Sequence, residues 1–173
     1  MVFFRIKKVK GKEYAYLVEN KWKQGSRQKV KGYLGRVHRF DKAKSDDFLE
    51  FKGIENVSEY VKTSENKKII SDILDWEFFK HGIDNKDFSV NLEDFSVTSK
   101  GKNVCIKINE GYLCSRTLKG LVEFKAKVDE DIRELSFRLG RAFVEAGVEV
   151  PEEVFIGLFE KVKGKEDLSA FEG

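Results

Sequence analysis

Basic and aromatic side chains recur together through the first 36 residues, and this mixture suits one kind of chemistry. Arg5, Lys7, Arg27, Lys29, Lys31 and Arg36 supply cations that neutralise phosphates, while Tyr14, Tyr16 and Trp22 supply rings on which bases or sugars stack. Fourteen of the first 45 residues are Lys or Arg, against three acidic ones, Glu13, Glu19 and Asp41, so this segment carries +11. The 173-residue chain as a whole carries +3 (33 basic, 30 acidic), which leaves −8 for residues 46–173. A basic front ahead of an acidic body is the charge footprint of a polyanion-binding arm or module.

The other reactive residue types are arranged less tellingly. Cys105 and Cys114 bracket an Asn109-Glu110-Gly111 turn and come close together across a hairpin. Neither His38 nor His81 has ligand spacing to them, so no metal is expected and the thiols read as free, core-lining groups. His38 lies beside Arg39 and His81 at a helix end; both read as surface residues, with no Ser or Cys partner motif for nucleophilic catalysis. An acidic-x-Lys element of the kind metal-dependent nucleases use occurs at 123–125, downstream of Asp94. The same pattern recurs at 19–21, 50–52, 65–67 and 84–86, as chance gives in a chain this rich in Lys and Glu, so a nuclease ranks below the binding readings. Lys-Gly-Lys at 10–12, 100–102 and 163–165 makes turns between charged residues, not a phosphate loop. No enzyme activity, cofactor or metal is expected.

Cations and rings need a rigid frame, and the front reads as a sheet. Residues 2–9, 13–19 and 28–37 alternate or are rich in Tyr and Val, predicting three antiparallel strands. A Gly11-Lys12 turn predicts Lys10 opposite Glu13, Lys7 opposite Tyr16 and Ile6 opposite Leu17. Alternation then gives one apolar face of Phe4, Ile6, Ala15 and Leu17, with Val30 and Leu34 from the third strand. The other face collects Arg5, Lys7, Tyr14 and Tyr16, with Arg27, Lys29, Lys31 and Tyr33. The loop over 20–27 places Trp22 between Lys21 and Lys23, either folded back on the sheet or body, or free to stack. The plainer alternatives for the patch are a solvated strand face whose lysines discourage edge pairing, or docking onto the chain's own acidic body.

The run Phe4-Arg5-Ile6-Lys7-Lys8-Val9-Lys10-Gly11-Lys12-Glu13-Tyr14-Ala15-Tyr16-Leu17-Val18-Glu19, with Tyr33-Leu34-Gly35-Arg36 after it, resembles the N-terminal β-module of DDE-type insertion-sequence transposases. The same opening precedes uncharacterised archaeal proteins, to which the rest of the chain is more similar in style. The resemblance covers about residues 1–38 and implies an accessory, DNA-contacting role. It does not imply transposition, which needs three carboxylates on an α/β core that this chain does not lay out.

The body, residues 46–173, reads as α+β. Residues 41–62 form a loop with a short amphipathic piece at Phe48, Leu49 and Phe51. Ser64 caps a helix to about Lys80 that Gly82 stops, and a hairpin surrounds Asn109-Glu110-Gly111. Three helical stretches close the chain, capped at Thr117 and Asp129 and opened by Pro151, with residues 164–173 frayed. The fold class expected is α+β, with an N-terminal three-stranded antiparallel sheet as a basic module over 1–45, a central helix and β-hairpin, and C-terminal helices. No stretch approaches the roughly 20 apolar residues of a membrane span, and no signal peptide is visible. A cytoplasmic location follows, and the 36% charged residues lean towards a thermophile. The expected function is non-enzymatic nucleic-acid binding, DNA preferred over RNA on the resemblance. The alternative is an adaptor whose basic front meets an acidic protein partner, with the body offering a homodimer or protein contact.

Overall fold

The computed structural model describes residues 2–22 and 25–169, apart from the side chains of Ser26 and of residues 165–169. Lys23 and Gln24, which the sequence places at the loop tip beside Trp22, lie outside the described residues. The class is mixed α and β, with seven strands in one sheet and six helices among the described residues. Strand β1 (Val2–Val9) runs antiparallel to β2 (Lys12–Trp22), and β2 runs antiparallel to β3 (Ser26–Arg39). These three strands do not form a sheet of their own. β3 pairs in parallel with β6 (Lys102–Ile108), Arg36 opposite Val104, which joins the basic front to the body. On the far side of β6 lie β5 (Ser96–Ser99), followed outward by β4 (Ser89–Asn91), and the short β7 (Gly111–Leu113).

The first turn differs from the expected one. Lys10 and Gly11 occupy its centre, both left-handed at φ 49° and 77°, and Val9 pairs with Lys12. Positive φ at both central positions is the geometry whose twist matches a hairpin. The register therefore moves by two: Lys7 faces Tyr14 and Ile6 faces Ala15. Because the shift is even, the side chains of β1 and β2 keep their expected faces.

The sheet rolls. Phe4 on β1 and Tyr112 on β7 bring their ring centroids within 5.9 Å, although β2, β3 and β6 lie between them. A flat sheet would hold those strands about 19 Å apart. The concave side encloses Ala15, Leu34, Val37, Cys105 and Cys114, all buried, with Phe4, Ile6, Leu17 and Tyr112 around them. The corner lies in β3, where two bulges and a Gly35 at φ 127° bend the strand. A Cβ on Gly35 would sit 2.7 Å from Cα of Val104, so this close approach to β6 requires glycine.

The helices pack on the convex side, at the β6 end. Val104, Ile106 and Ile108 of β6, with Val97 and Leu113, enter the main core with Ile69, Ile73, Leu118, Leu139, Phe143 and Leu158. The expected loop over 41–62 contains two short helices, α1 (Phe48–Lys52) and α2 (Val57–Thr63), whose N-termini Asp47 and Asn56 cap. α3 (Asn66–Lys80) begins after Glu65, not at Ser64, and ends as expected before Gly82. α4 (Ser115–Val122) begins earlier than expected, because Thr117 Oγ1 accepts the Cys114 N–H and Cys114 becomes the cap. Asp131 caps α5 (Ile132–Glu145). α6 (Glu152–Ser169) runs through most of the stretch expected to fray; residues 170–173 lie outside the described residues. No described helix is long and apolar enough to cross a membrane.

Candidate nucleic-acid interface

Cross-strand partners point to the same side of a sheet, so the ladders sort the front's side chains. Arg5 pairs with Tyr16, Lys7 with Tyr14 and Val9 with Lys12, so all share the convex face. From β3, Arg36 pairs with Tyr14, Tyr33 with Tyr16, Val30 with Val18 and Gln28 with Asn20. The helical layer covers only one end of this face, where His38 meets Phe88 edge-on at 5.1 Å. Burial against Phe88 and the neighbouring Arg36 charge hold the His38 imidazole below its usual pKa.

Beyond that end the face is open and built around three tyrosines. Tyr33 is 54% exposed, and its ring lies 5.3 Å from that of Tyr16 and 6.4 Å from that of Tyr14. Lys7 Nζ stands 5.2 Å from the Tyr16 ring centroid, and Arg5 Nη1 donates to Gln28 Oε1 at 2.6 Å, which fixes the guanidinium beside the rings. Burial and the adjacent Tyr16 and Tyr14 push the Tyr33 phenol above its ordinary pKa, so it stays neutral.

The second bulge changes the expected partition of charge. Between the pairs Leu17–Gly32 and Val18–Val30, Lys31 is an extra residue, and the alternation of β3 reverses there. Arg27 and Lys29, expected beside the tyrosines, pair instead with Lys21 and Glu19 on the opposite face. Lys31 reaches Glu19 at 2.9 Å, and its hydrogen bond holds that carboxyl below the usual carboxylate range. Val30, expected on the apolar face, turns outward and is 51% exposed; Leu34, the extra residue of the first bulge, is buried as expected.

Both acidic residues of the three strands lie on the concave side. Glu19 takes Lys31; Glu13 pairs with Lys8 in the ladder and accepts from Arg39 Nη2 at 3.0 Å, a hydrogen bond that lowers its pKa. The convex face thus holds Arg5, Lys7, Lys12 and Arg36 with no carboxylate from these strands. Among the described residues, the one ion pair between the front and the acidic body is Lys42 with Glu149, at 2.7 Å. Trp22, at the far end of β2, is 85% exposed, so it does not fold back onto the sheet or the body.

Lys12, Gln28 and Tyr33 complete this face and are absent from the binding set read from the sequence. Lys12 would have followed from the correct turn. Gln28 becomes visible only once the bulge at Lys31 is known. His81, read as a surface residue, is buried beside the fully buried Glu77, and His38 is half-buried. Comparison with known proteins finds no matching family model, no matching curated protein and no matching solved structure.

Proposed function

We propose that this chain is a non-enzymatic nucleic-acid-binding protein that engages phosphates with the convex face of its front strands. The observation that carries the reading is the sorting of charge: Arg5, Lys7, Lys12 and Arg36 surround three tyrosines, while Glu13 and Glu19 neutralise cations on the other side. A strand face meant only for solvation has no need of this segregation. The resemblance of residues 1–38 to the β-module of DDE-type transposases supports the same reading and favours DNA. Arg5, Lys7, Lys12 and Arg36 grip the backbone, and Tyr14, Tyr16, Tyr33 and the exposed Trp22 offer rings to the ligand. Arg27 and Lys29 add long-range attraction from the opposite face, where Lys31 is taken by Glu19.

The test is fluorescence-anisotropy titration of labelled duplex DNA, single-stranded DNA and structured RNA at two salt concentrations. Engagement of about four phosphates on a duplex gives a log–log salt slope of roughly −3.6. Arg5→Glu with Lys7→Glu should abolish binding, and Lys29→Glu with Lys31→Glu should only weaken it. Affinity that survives the first pair removes the convex face from the reading. No binding of any polymer at low salt would turn the front into a docking surface for an acidic protein partner.

A further inference from the structure

We infer that the ligand of the convex face is an unpaired strand whose bases stack on Tyr33 and Trp22, not a duplex. This rests on the nucleic-acid reading above and adds the state of the polymer to it.

The argument starts from which parts of a nucleic acid a ring can reach. In a duplex each base has a neighbour above and below, and a protein standing outside meets phosphates and groove edges. Rings exposed in the middle of a broad sheet then have nothing to stack on. Unpaired bases offer free π-faces, and an aromatic platform flanked by cations receives them without regard to sequence. The convex face has that form. Tyr33 exposes half its surface at the centre of the three-ring cluster, backed by Tyr14 and Tyr16 and not by a helix. Arg5, tied to Gln28, and Lys7, over Tyr16, stand beside the rings where a sugar–phosphate backbone would run.

A second ring lies further along the same face. Trp22 is six residues beyond Tyr16 on β2 and shares its side of the strand, roughly 20 Å away. Exposed Val30 lies between them in β3, opposite Val18. The path from Tyr33 to Trp22 therefore crosses Val30 and the amides of Asn20 and Gln28, with Arg5 held beside it by Gln28. A double helix bound along this path would leave an indole that is 85% exposed without a stacking partner. A single strand of a few nucleotides, the lower range of site sizes for such platforms, spans it.

The experiment uses the full chain with fluorescein-labelled oligo-dT and oligo-U of 12 nucleotides, and a 12-base-pair duplex, at one salt concentration. Tighter binding of one or both single strands than of the duplex, by tenfold or more, is the expected result. Tyr33→Leu, which keeps an apolar side chain at the bulge, should weaken the single strand roughly 5- to 150-fold, the range for loss of one stacked base. Trp22→Ala, at a site too exposed to matter for folding, should weaken it as well, and should remove the single-strand-induced quenching of indole emission. Duplex binding equal to or tighter than both single strands, unchanged in Tyr33→Leu and Trp22→Ala, overturns the inference and leaves the nucleic-acid reading intact. Failure of all three polymers to bind overturns both.

Discussion

The backbone N–H of Glu149 donates a 2.7 Å hydrogen bond to Oε1 of Glu77, 72 residues away in the chain. The Glu77 carboxylate is fully buried and also accepts from Lys80 Nζ and Asn109 Nδ2, each at 3.2 Å. Lys80 Nζ reaches Glu149 Oε2 at 2.7 Å and stands 3.4 Å from the Trp76 ring centroid. One side chain thereby joins the end of α3 to the β6–β7 turn and to the segment before α6. Glu77→Ala would leave the Glu149 N–H without its acceptor and take one partner each from Lys80 and Asn109, at a cost of about 3 kcal/mol. Urea denaturation should show a lower midpoint with an unchanged slope; an unaltered midpoint would mean the network contributes nothing.

Gly35 and Gly32 offer a matched pair of substitutions in one strand. A Cβ at Gly35 meets the backbone of Asn103 and Val104 at a left-handed φ, whereas a Cβ at Gly32 meets nothing within 4 Å. Gly35→Ala should cost more than about 2 kcal/mol. Gly32→Ala should change stability by less than about 1 kcal/mol. Thermal unfolding of the two variants measures the contrast, and equal melting temperatures would contradict the close contact between β3 and β6.

His38 should give a pH dependence of definite sign. Its folded pKa lies below the ordinary 6.5, because burial and Arg36 disfavour the proton. The unfolded chain therefore binds the proton first, and this contribution to stability is present above pH 6.5 and lost as pH falls through the folded value. An NMR titration of the ring proton should place the midpoint below 6.5. The fall in stability between pH 7.5 and 5.5 should be smaller in His38→Phe, which keeps an edge contact to Phe88.

Cys105 and Cys114 are buried free thiols that continue the register Ile106–Leu113 of the β6–β7 hairpin. The neighbouring Cys114 and burial push the Cys105 thiol above its ordinary pKa, and its Sγ donates to the Leu34 carbonyl oxygen at 3.7 Å. Burial should protect both thiols from alkylation until the protein unfolds, when two groups react; rapid labelling of the native protein would show that the rolled sheet opens readily.

The strands of the front are legible because alternation is a local signal: Arg5, Ile6 and Lys7 announce their faces from their types alone. The turn is harder, since nothing in Lys10 announces a left-handed backbone beside Gly11. The bulges at Leu34 and Lys31 are harder still. Each inserts one residue without breaking the chemical pattern, so Lys29 and Lys31 read as partners of Tyr33 although the chain turns between them. The parallel pairing of Arg36 with Val104 spans 68 residues (104 − 36) and leaves no local trace. Helix ends suffer from competing caps: Thr117 is a good cap by type, yet it accepts from Cys114 and lengthens the helix instead. The burial of His81 depends on Glu77, one turn earlier in α3, and on the segments that close over both.

The parallel β3–β6 ladder also sets an order in time. β1, β2 and β3 are joined by short turns, so their hairpins can form as soon as residue 39 is available. The outer edge of β3 must then wait for β6, across the long loop that makes such pairings slow to close. An unpaired strand edge is where nascent chains join one another wrongly. During that interval the exposed strand carries Arg27, Lys29, Lys31, Arg36 and Arg39 within a segment of charge +11, and two copies repel. The basic charge of the front, part of which we propose meets a polyanion in the finished protein, thus serves earlier as a defence against self-association.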